Sequence, residues 1–527
     1  MTEPIVLTGA NLTIAGVEAV ARHGAPVELD AEARARVQEA RDVIERLVTA
    51  GAVVYGVTTG FGDLATTFIA PADAARLQQN LLMSHAAGVG APFPAEVVRA
   101  MLLLRANTLA LGHSGCRPVV IDRLLDFLAT GIHPMVPEQG SLGASGDLAP
   151  LAHLALPLIG RGEVEFHGQR VPALLALREA NLEPLSLEPK EGLALLNGTQ
   201  MMSAVGALAL ADAYRLAQTA SVAAALSVEA LLGTDVAFAA EYQLARAHPG
   251  QVAVAAEMRH LLRESTLQAS HHGHAHKIQD PYSLRCVPQV HGAVRDALDY
   301  LRAVLLIELN SATDNPLVFP GGGGADPAAV ATGGGLVISG GNFHGEPVGL
   351  ALDFAKLAVA ELGSISERRT ALLVDARLNG GLPPFLAAAS GIDSGLMILQ
   401  YTAAALVSEN KVLVHPATAD SIPTSANQED HVSMGSIAAR HTRTVVEHVE
   451  RVLAIELIVA AQALDYRLEL LPGTVPGAGV RAAHAAIRAV VPRLHADREP
   501  GPDLAAALAL VRSGRLAELV PGQPGDG

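Results

Sequence analysis

The sequence predicts a mainly α-helical protein with a smaller mixed region at the N-terminus. Half of the 527 residues are hydrophobic, which is enough to fill a large core. From about residue 199 onward the pattern is dominated by long, Ala- and Leu-rich stretches with few charges, whereas strand-like runs are short and confined to the first part. We therefore expect an N-terminal domain over 1–198 and a helical bundle domain over 199–527.

The N-terminal region contains signals for both helices and strands. Ile5 to Leu7 is a short strand-like run, and apolar residues repeat on one helical face from about Asp30 to Ala50. Residues 164–173 read as a hairpin with His167 and Gly168 at its turn. Little else in the chain is typical of a sheet.

Five long helices are predicted in the second region, and most of their circumference is apolar. They are Gln200–Leu232, Gln289–Asn310, Pro347–Leu373, Gly395–Leu413 and Ser436–Tyr466. A single chain would struggle to cover them all, so we expect a bundle shared between subunits. The low-complexity segment 320–335 is expected to be a flexible loop, and the tail after Val520 to fray.

Composition excludes several classes of protein. A formal charge of −16 and the absence of Trp argue against a nucleic-acid partner. Cys116 and Cys286 form neither a disulfide framework nor a zinc motif, and the N-terminus lacks a secretory pattern, so a cytoplasmic protein is expected. The uncharged stretch between Glu191 and Asp212 is interrupted by polar residues, so we interpret it as a buried helix behind a polar, site-forming loop rather than as a membrane span.

The segment GSLGASGDLAP (140–150) carries the most informative chemistry. It places Ala144, Ser145 and Gly146 between glycines, where the chain can turn tightly enough for the Gly146 nitrogen to attack the Ala144 carbonyl carbon. Loss of water from the ring and from Ser145 would leave a methylidene-imidazolone. Such an electron-poor group is absent from the ordinary side chains, and an amino acid with a poor leaving amine needs one.

The longer string GSLGASGDLAPLAHLAL resembles the signature of the aromatic amino acid ammonia-lyases. Further blocks resemble the same family in the same order: YGVTTGFG (55–62), SHAAGVG (84–90), LLNGTQ (195–200), QDPYSLRC (279–286), NSATDNPLVF (310–319), GGNFHGEPV (340–348) and SANQEDHVSM (425–434). The resemblance, over about residues 5 to 510, implies a methylidene-imidazolone made from Ala144, Ser145 and Gly146, with no external cofactor or metal. It also implies a homotetramer whose sites each draw on three subunits.

The resemblance assigns roles to residues in these blocks. Tyr55, on a glycine-rich lid, is the expected general base, Tyr282 is expected to assist proton transfer, and Arg285 is expected to hold the substrate carboxylate. Asn197 and Gln279 would orient the substrate and the carbonyl of the prosthetic group, while Phe343 would form an apolar wall. Asp147 is expected to begin a helix whose N-terminal dipole favours negative charge on the ring.

Two places indicate the substrate. Ser84-His85 resembles the pattern of histidine-specific members, and Glu429 stands where those members carry a glutamate suited to an imidazole. Thr58 departs from this pattern and resembles the phenylalanine and tyrosine branch. The expected reaction is elimination of ammonia from L-histidine to give trans-urocanate, the first step of histidine breakdown.

Other interpretations stay open at this point. The chain could act on phenylalanine or tyrosine, be an aromatic aminomutase that returns ammonia to the β-carbon, or be an inactive helical scaffold. The run HHGHAH (271–276) could bind a divalent metal, although it lacks carboxylate ligands at a recognisable spacing. We expect that run to be solvated or packed in a loop.

Overall fold

The computed structural model describes residues 3–57, 59, 69, 73–272, 278–321, 330–332 and 335–521. The helices before residue 198 are α1 (Ile14–His23), α2 (Ala31–Thr49), α3 (Ala74–His85), α4 (Ala95–Ala110), α5 (Pro118–Thr130), α6 (Leu148–Ala155), α7 (Ala173–Glu179) and α8 (Glu191–Leu196). The later helices are α9 (Gln200–Ala230), α10 (Ala240–Leu244), α11 (Pro249–Leu262), α12 (Thr266–Ala269), α13 (Tyr282–Arg285), α14 (Val287–Glu308), α15 (Glu346–Val374), α16 (Met397–Leu413), α17 (Gly435–Leu470), α18 (Ala478–Arg488) and α19 (Gly501–Arg512). The mainly α-helical prediction is confirmed.

The strands are short and form four small sheets. They are β1 (Ile5–Leu7), β2 (Val27–Leu29), β3 (Val89–Pro92), β4 (His133–Pro134), β5 (Pro137–Gln139), β6 (Glu163–Phe166), β7 (Gln169–Pro172), β8 (Leu317–Pro320), β9 (Val330–Thr332) and β10 (Gly335–Ile338). β1 pairs with β2 in parallel, and β3–β5, β4–β6–β7 and β8–β10–β9 are antiparallel.

The predicted N-terminal helix and hairpin are confirmed. The Asp30 carboxylate accepts a hydrogen bond from Ala33 N and caps α2, and Gly51 follows its end with a φ of 64°. β6 and β7 form the hairpin, and His167 and Gly168 lie at its turn. The expectation of little other sheet was wrong, because a two- to four-residue strand gives too short an alternation to be recognised.

The Gly-rich segment 320–335 was expected to be a loop, and this expectation was wrong at its ends. Val330–Thr332 forms β9 and pairs with β10, whose first residue, Gly335, lies opposite Thr332. The backbone hydrogen bonds of these residues are made with neighbouring strands, and a low-complexity sequence contains no pattern that predicts such pairing. Residues 322–329, 333 and 334 lie outside the described residues, as does most of the tail after Val520.

Five long helices form the bundle, and the positions of their ends define its polarity. α9, α15 and α17 all begin at one end, where the Met202 side chain lies against Gly345 and Gly435; we call this the near end. At the far end, Arg467 of α17 donates to Ala230 O over 2.9 Å. α14 and α16 run in the opposite direction, because the last residue of α14, Glu308, accepts a hydrogen bond from Thr199 and His415, just after α16, bonds to Lys356 in the first part of α15.

Helix α9 is covered by its own chain, while the expectation of a bundle shared between subunits stays a prediction. All of its residues except Asp212, Tyr214 and Arg215 are buried, so no partner subunit is needed to cover it. Among the five long helices, most of the exposed large apolar side chains lie on α14, α15 and α16, for instance Phe354, which is 50% exposed. In the described part of the chain, no helix is both long and apolar enough to cross a membrane. The division at residue 198 stays a prediction, and the largest apolar core has members on both sides of it.

Candidate active site

The Ala144-Ser145-Gly146 tripeptide forms the tip of a tight turn at the near end of the bundle. Gly143 and Gly146 face each other in an isolated antiparallel bridge, and both have positive φ angles, 76° and 71°. Side chains at these positions would collide, since an added Cβ would lie 2.1 Å from Ser433 Oγ at Gly143 and 2.1 Å from Gly198 O at Gly146. The turn therefore fits a backbone that closes a ring between residues 144 and 146.

The segment Asn197–Thr199, between α8 and α9, holds one side of this turn. Asn197 Nδ2 donates to Ser145 O over 2.9 Å, and Asp147 N donates to Gly198 O over 2.7 Å. Asn197 Oδ1 is buried and has no hydrogen-bond partner in the described part of the chain. The polar loop predicted before the buried helix is thus observed, and its asparagine side chain points at the tripeptide.

Asp147 joins the turn to the start of α9. Its Oδ2 atom accepts hydrogen bonds from Met201 N at 3.0 Å and Met202 N at 2.9 Å, so it caps the N-terminus of α9 as well as preceding α6. Burial raises the pKa of Asp147 to about 7, although these amides and the Ser141 hydroxyl oppose the shift.

The start of α17 holds the opposite side of the turn. Ser433 Oγ donates to Gly143 O over 3.2 Å, Ser436 Oγ donates to Ser141 O over 2.6 Å, and Met434 N donates to Leu142 O over 2.8 Å. Helices α6, α9, α15 and α17 all begin around the tripeptide. The positive dipole ends of these helices favour negative charge near the tripeptide.

Glu429 reaches Ser145 directly. Ser145 Oγ donates to Glu429 Oε1 over 2.9 Å, and Thr424 Oγ1 donates to Glu429 Oε2 over 2.9 Å. The intervening residues Ser425, Ala426 and Asn427 have φ angles of 51°, 53° and 68°, which is a strained conformation for residues other than glycine. Strain of this kind persists when the surroundings fix the loop, and here it brings the carboxylate to the hydroxyl.

Ser84 and His85 lie on one segment and Phe343 on another. Ser84 and His85 end α3, where His85 Nδ1 lies 3.0 Å from Ser84 Oγ, and the chain then enters β3, which pairs with the strand leading into Gly140. Gly88 N in this segment donates to His153 Nε2 over 3.0 Å. Phe343 is half-buried just before α15, next to His344, whose ring stacks on that of His431.

Gln279, Tyr282 and Arg285 lie at the other end of the bundle. Thr234 N, beyond the C-terminus of α9, donates to Asp280 Oδ2 over 2.7 Å and anchors their segment there. From this point α14 runs 22 residues back to the near end, a length of about 33 Å. One chain therefore brings Asn197 and Glu429 to Ser145 but leaves these three residues distant from it. Tyr282 is 71% exposed, with the Arg285 guanidinium 4.6 Å from its ring centroid.

Tyr55 lies in the turn after α2. Its neighbours Val54 and Val57 pack with Ile44 and Leu47 in a small apolar cluster. Thr58 and residues 60–62 of the predicted lid (55–62) lie outside the described residues.

Metal binding is a separate question. Within the described residues, no group of three His, Cys, Asp or Glu side chains is arranged to hold a metal ion. His274 and His276 fall outside those residues.

Comparison with known proteins decides the family. The family model described as aromatic amino acid lyase matches residues 12–489. The chain belongs to the aromatic amino acid lyase family. Within this family it is 54% identical over 518 residues to a histidine ammonia-lyase of Sorangium cellulosum, covering 98% of both chains. It is 52% identical to a histidine ammonia-lyase of Gloeobacter violaceus, covering 99% of this chain and 98% of that one.

Solved structures of aromatic amino acid lyase relatives share the fold. The histidine ammonia-lyase of Trypanosoma cruzi superposes with a TM-score of 0.87 at 42% identity, covering 98% of this chain and 95% of that one. The tyrosine aminomutase of Streptomyces globisporus gives a TM-score of 0.91 at 38% identity, covering 99% and 100%. This aromatic amino acid lyase is a carbon–nitrogen lyase.

Several residues around the site were missed by sequence reasoning. Thr424 and Ser433 hold the carboxylate and the turn, and Arg105 lies behind Asn197. Thr424 directly precedes a block that resembles the family. Arg105 had a recognisable signal, since it is the lone charge in the apolar run LLLRANTLAL of a buried helix.

Proposed function

We propose that this chain is a histidine ammonia-lyase, which eliminates ammonia from L-histidine and yields trans-urocanate. The observation that carries the proposal is the Glu429 carboxylate, whose Oε1 atom lies 2.9 Å from Ser145 Oγ. A carboxylate at this place can accept a hydrogen bond from an imidazole, whereas desolvating it against a phenyl ring would be costly. The histidine ammonia-lyases of Sorangium and Gloeobacter, at 54% and 52% identity, support the same substrate.

The prosthetic group of the proposed enzyme is a methylidene-imidazolone made from Ala144, Ser145 and Gly146. Its ring closes when the Gly146 nitrogen attacks the Ala144 carbonyl carbon and water leaves, and Ser145 then loses its hydroxyl as a second water. The positive-φ turn and the close approach of Gly198 to Gly146 fit this closure. Once formed, the group supplies an electron-poor methylene that a nucleophile of the substrate can attack.

The residues around the tripeptide bind and orient the substrate. Asn197 Nδ2, 2.9 Å from Ser145 O, stabilises negative charge on that oxygen. Glu429 holds the imidazole, with Thr424 keeping its second oxygen in place. Ser84, His85 and Phe343 shape the pocket for the side chain.

Four residues are proposed to complete the reaction from the segments 55–62 and 279–285. Arg285 forms paired hydrogen bonds with the substrate carboxylate, and Gln279 orients the same end. Tyr55 removes the proton from the β-carbon, which requires a positive environment because the pKa of a free phenol is about 10. Tyr282 assists this proton transfer.

The site is proposed to be shared between subunits of a homotetramer. Arg285 and Ser145 are separated by the length of α14, about 33 Å, which no amino acid substrate can span. Leu350, Phe354 and Leu357 recur at helical spacing on α15, each is 50% exposed, and the Phe354 ring contacts Tyr300 of α14. This apolar face fits a second copy, and antiparallel packing would bring the far end of one bundle to the near end of another.

The site is also proposed to work in the cytoplasm. Cys116 and Cys286 are both free thiols, and burial raises the pKa of the Cys116 thiol to about 12. Neither cysteine depends on an oxidising compartment.

The test is an ultraviolet assay of the purified protein with L-histidine, L-phenylalanine and L-tyrosine in parallel, with ammonia quantified and products identified. Urocanate from histidine supports the proposal, and cinnamate or coumarate would overturn the substrate. The similarity to a tyrosine aminomutase structure makes a β-amino acid without free ammonia the second candidate outcome. Ser145→Ala tests the cofactor, because it should abolish turnover, preserve assembly and prevent the loss of the second water from the intact protein mass.

A further inference from the structure

We propose that Arg105 is a positioning residue for the electrophile, and that it acts by holding the Asn197–Thr199 turn against Ala144–Gly146. Arg105 lies on α4 and is fully buried. Its Nη1 atom donates to Asn197 O over 2.8 Å and to Gln200 Oε1 over 2.7 Å. This inference rests on the proposed function, because it assumes that the tripeptide becomes the reactive group.

The burial of this guanidinium lowers the stability of the folded state. Among the described residues, no carboxylate forms an ion pair with Arg105, and its Nε and Nη2 atoms have no hydrogen-bond partner. The nearby Asp314 is bonded to Lys190 over 2.7 Å. Packing alone would be served better by an apolar side chain, because a buried cation without a paired anion loses its hydration and gains little in return.

The contacts of Arg105 lead directly to the tripeptide. The residue whose carbonyl it binds, Asn197, places Nδ2 2.9 Å from Ser145 O. The next residue, Gly198, accepts from Asp147 N over 2.7 Å and forms an isolated bridge with Gly146. One guanidinium therefore fixes both the amide that holds the Ser145 carbonyl and the backbone that presses on Gly146.

The turn is held from behind by a packed polar network. Gln200 Nε2 donates to Thr313 Oγ1 over 2.8 Å. This bond fixes the Gln200 side chain, whose Oε1 atom accepts from the same Arg105 Nη1 that binds Asn197 O. A Cβ added to Gly198 would lie 2.4 Å from Gln200 Oε1 and 2.6 Å from Arg105 Nη1, so the turn has no room to retreat. The amide that Arg105 holds in this way, Asn197 Nδ2, donates to Ser145 O, on which negative charge would develop when the methylene is attacked.

Loss of Arg105 should then affect two separate processes. The ring should form more slowly, so that part of the purified protein has not lost the two waters and is heavier than the matured protein by their mass. In the matured fraction kcat should fall roughly 10- to 100-fold, while KM changes little because Arg105 does not touch the substrate.

The experiment compares Arg105→Met and Arg105→Lys with Arg99→Met. Arg99 lies on the same helix and also binds backbone carbonyls, those of Val20 and Leu128, but none near the tripeptide. Intact-protein mass gives the matured fraction, and kcat and KM are corrected for it. We expect Arg105→Met to lose both maturation and kcat, Arg105→Lys to recover part of each, and Arg99→Met to retain both.

A double-mutant cycle separates positioning from general destabilisation. If Arg105 acts partly through the Asn197 side chain, then Arg105→Lys should slow maturation in the wild-type background and slow it less in Asn197→Ala, where only the hold on the Gly198 backbone remains. Equal effects in both backgrounds, or a folded Arg105→Met with unaltered maturation and kcat, would overturn the proposal. If Arg105→Met does not fold, Arg105→Lys alone carries both readouts. Wild-type protein that matures but releases no ammonia from histidine would refute the proposed function, while the mass readout would still test Arg105.

Discussion

The carbonyl oxygen of Gly198 lies where a side chain on Gly146 would have to begin. An added Cβ at Gly146 would be 2.1 Å from that oxygen, well inside van der Waals contact. The same glycine has a φ of 71°, which disfavours any other residue. Ring closure and the identity of residue 146 are thus tied to a segment 52 residues further along the chain.

Gly146→Ala should therefore prevent maturation. We expect the purified variant to have the full mass of the unmodified chain, without the loss of two waters, and to show no turnover. The reason is that the added methyl group would force the turn away from Gly198. Gly168→Ala is the matched control, since Gly168 has a φ of 72° but nothing within 4 Å of an added Cβ. A mature, active Gly146→Ala enzyme would contradict the described geometry.

Glu429→Gln should lower kcat/KM for histidine by roughly 100-fold, a loss of about 2.7 kcal/mol of transition-state stabilisation, because the amide is neutral and a weaker acceptor. Thermal unfolding and the matured mass should be unchanged. The exposed neighbour Asp430 provides a control, as Asp430→Asn should retain activity. An unaltered kcat/KM in Glu429→Gln would remove that carboxylate from the site.

Co-expression of two inactive chains should restore activity if each site is shared. Ser145→Ala and Arg285→Met are each expected to abolish turnover alone. In mixed oligomers, some sites would combine an intact Ser145 from one chain with an intact Arg285 from another; within one chain the two lie at opposite ends of α14, a helix about 33 Å long. Mixed assemblies with no more activity than either parent would show that one chain supplies both groups.

Phe354→Glu should weaken assembly. Its side chain is 50% exposed on the apolar face of α15, and a carboxylate there would have to be desolvated against the partner. Light scattering coupled to size exclusion should show smaller species, and activity should fall with them. Leu175→Glu, at a position 53% exposed on α7, should leave the assembly intact.

Protonation of His133 should lower the free energy of unfolding at acidic pH. Burial and the nearby Arg99 lower the pKa of His133 to about 4, and its Nε2 atom accepts from Arg99 Nη1 over 3.4 Å. The fold favours neutral His133, so this contribution is present above the unfolded pKa of about 6.5 and is lost as the pH falls toward 4.

The expected size is at most about 2 kcal/mol, because His133 is only partly shielded from solvent. His133→Gln keeps an acceptor for Arg99 but does not titrate. Its free energy of unfolding should change less between pH 6.5 and 4 than that of the wild type, and parallel curves would refute this assignment.

Local sequence patterns predicted the long helices well. α9 begins at Gln200, as expected, and ends two residues before the predicted Leu232. Periodicity of apolar residues is a local property and survives folding unchanged. It does not say which neighbour covers a helix, so the pattern could not show that α9 is buried by its own chain while α15 leaves apolar side chains exposed.

Contacts between segments that are distant in the chain were harder to predict from the sequence. The tripeptide was predicted from its own residues, whereas Asp147 was expected only to begin α6 and also caps α9. Thr424 lies 5 residues from Glu429, and only the strained turn between them shows that it holds the carboxylate. Gln279 and Arg285 were recognised by resemblance, but no local pattern reveals that their segment lies at the far end of the bundle.

The contacts that Ser433 and Glu429 make with the segment 143–145 also set an order of events during synthesis. Ser433 binds Gly143 across 290 positions of the chain, and Glu429 binds Ser145 across 284. Neither contact exists until the ribosome has released nearly the whole polypeptide and α17 has docked. If the proposed ring forms, its loss of two waters can occur only in a molecule that has completed this tertiary structure, so the mass of a newly made chain would report whether it has folded.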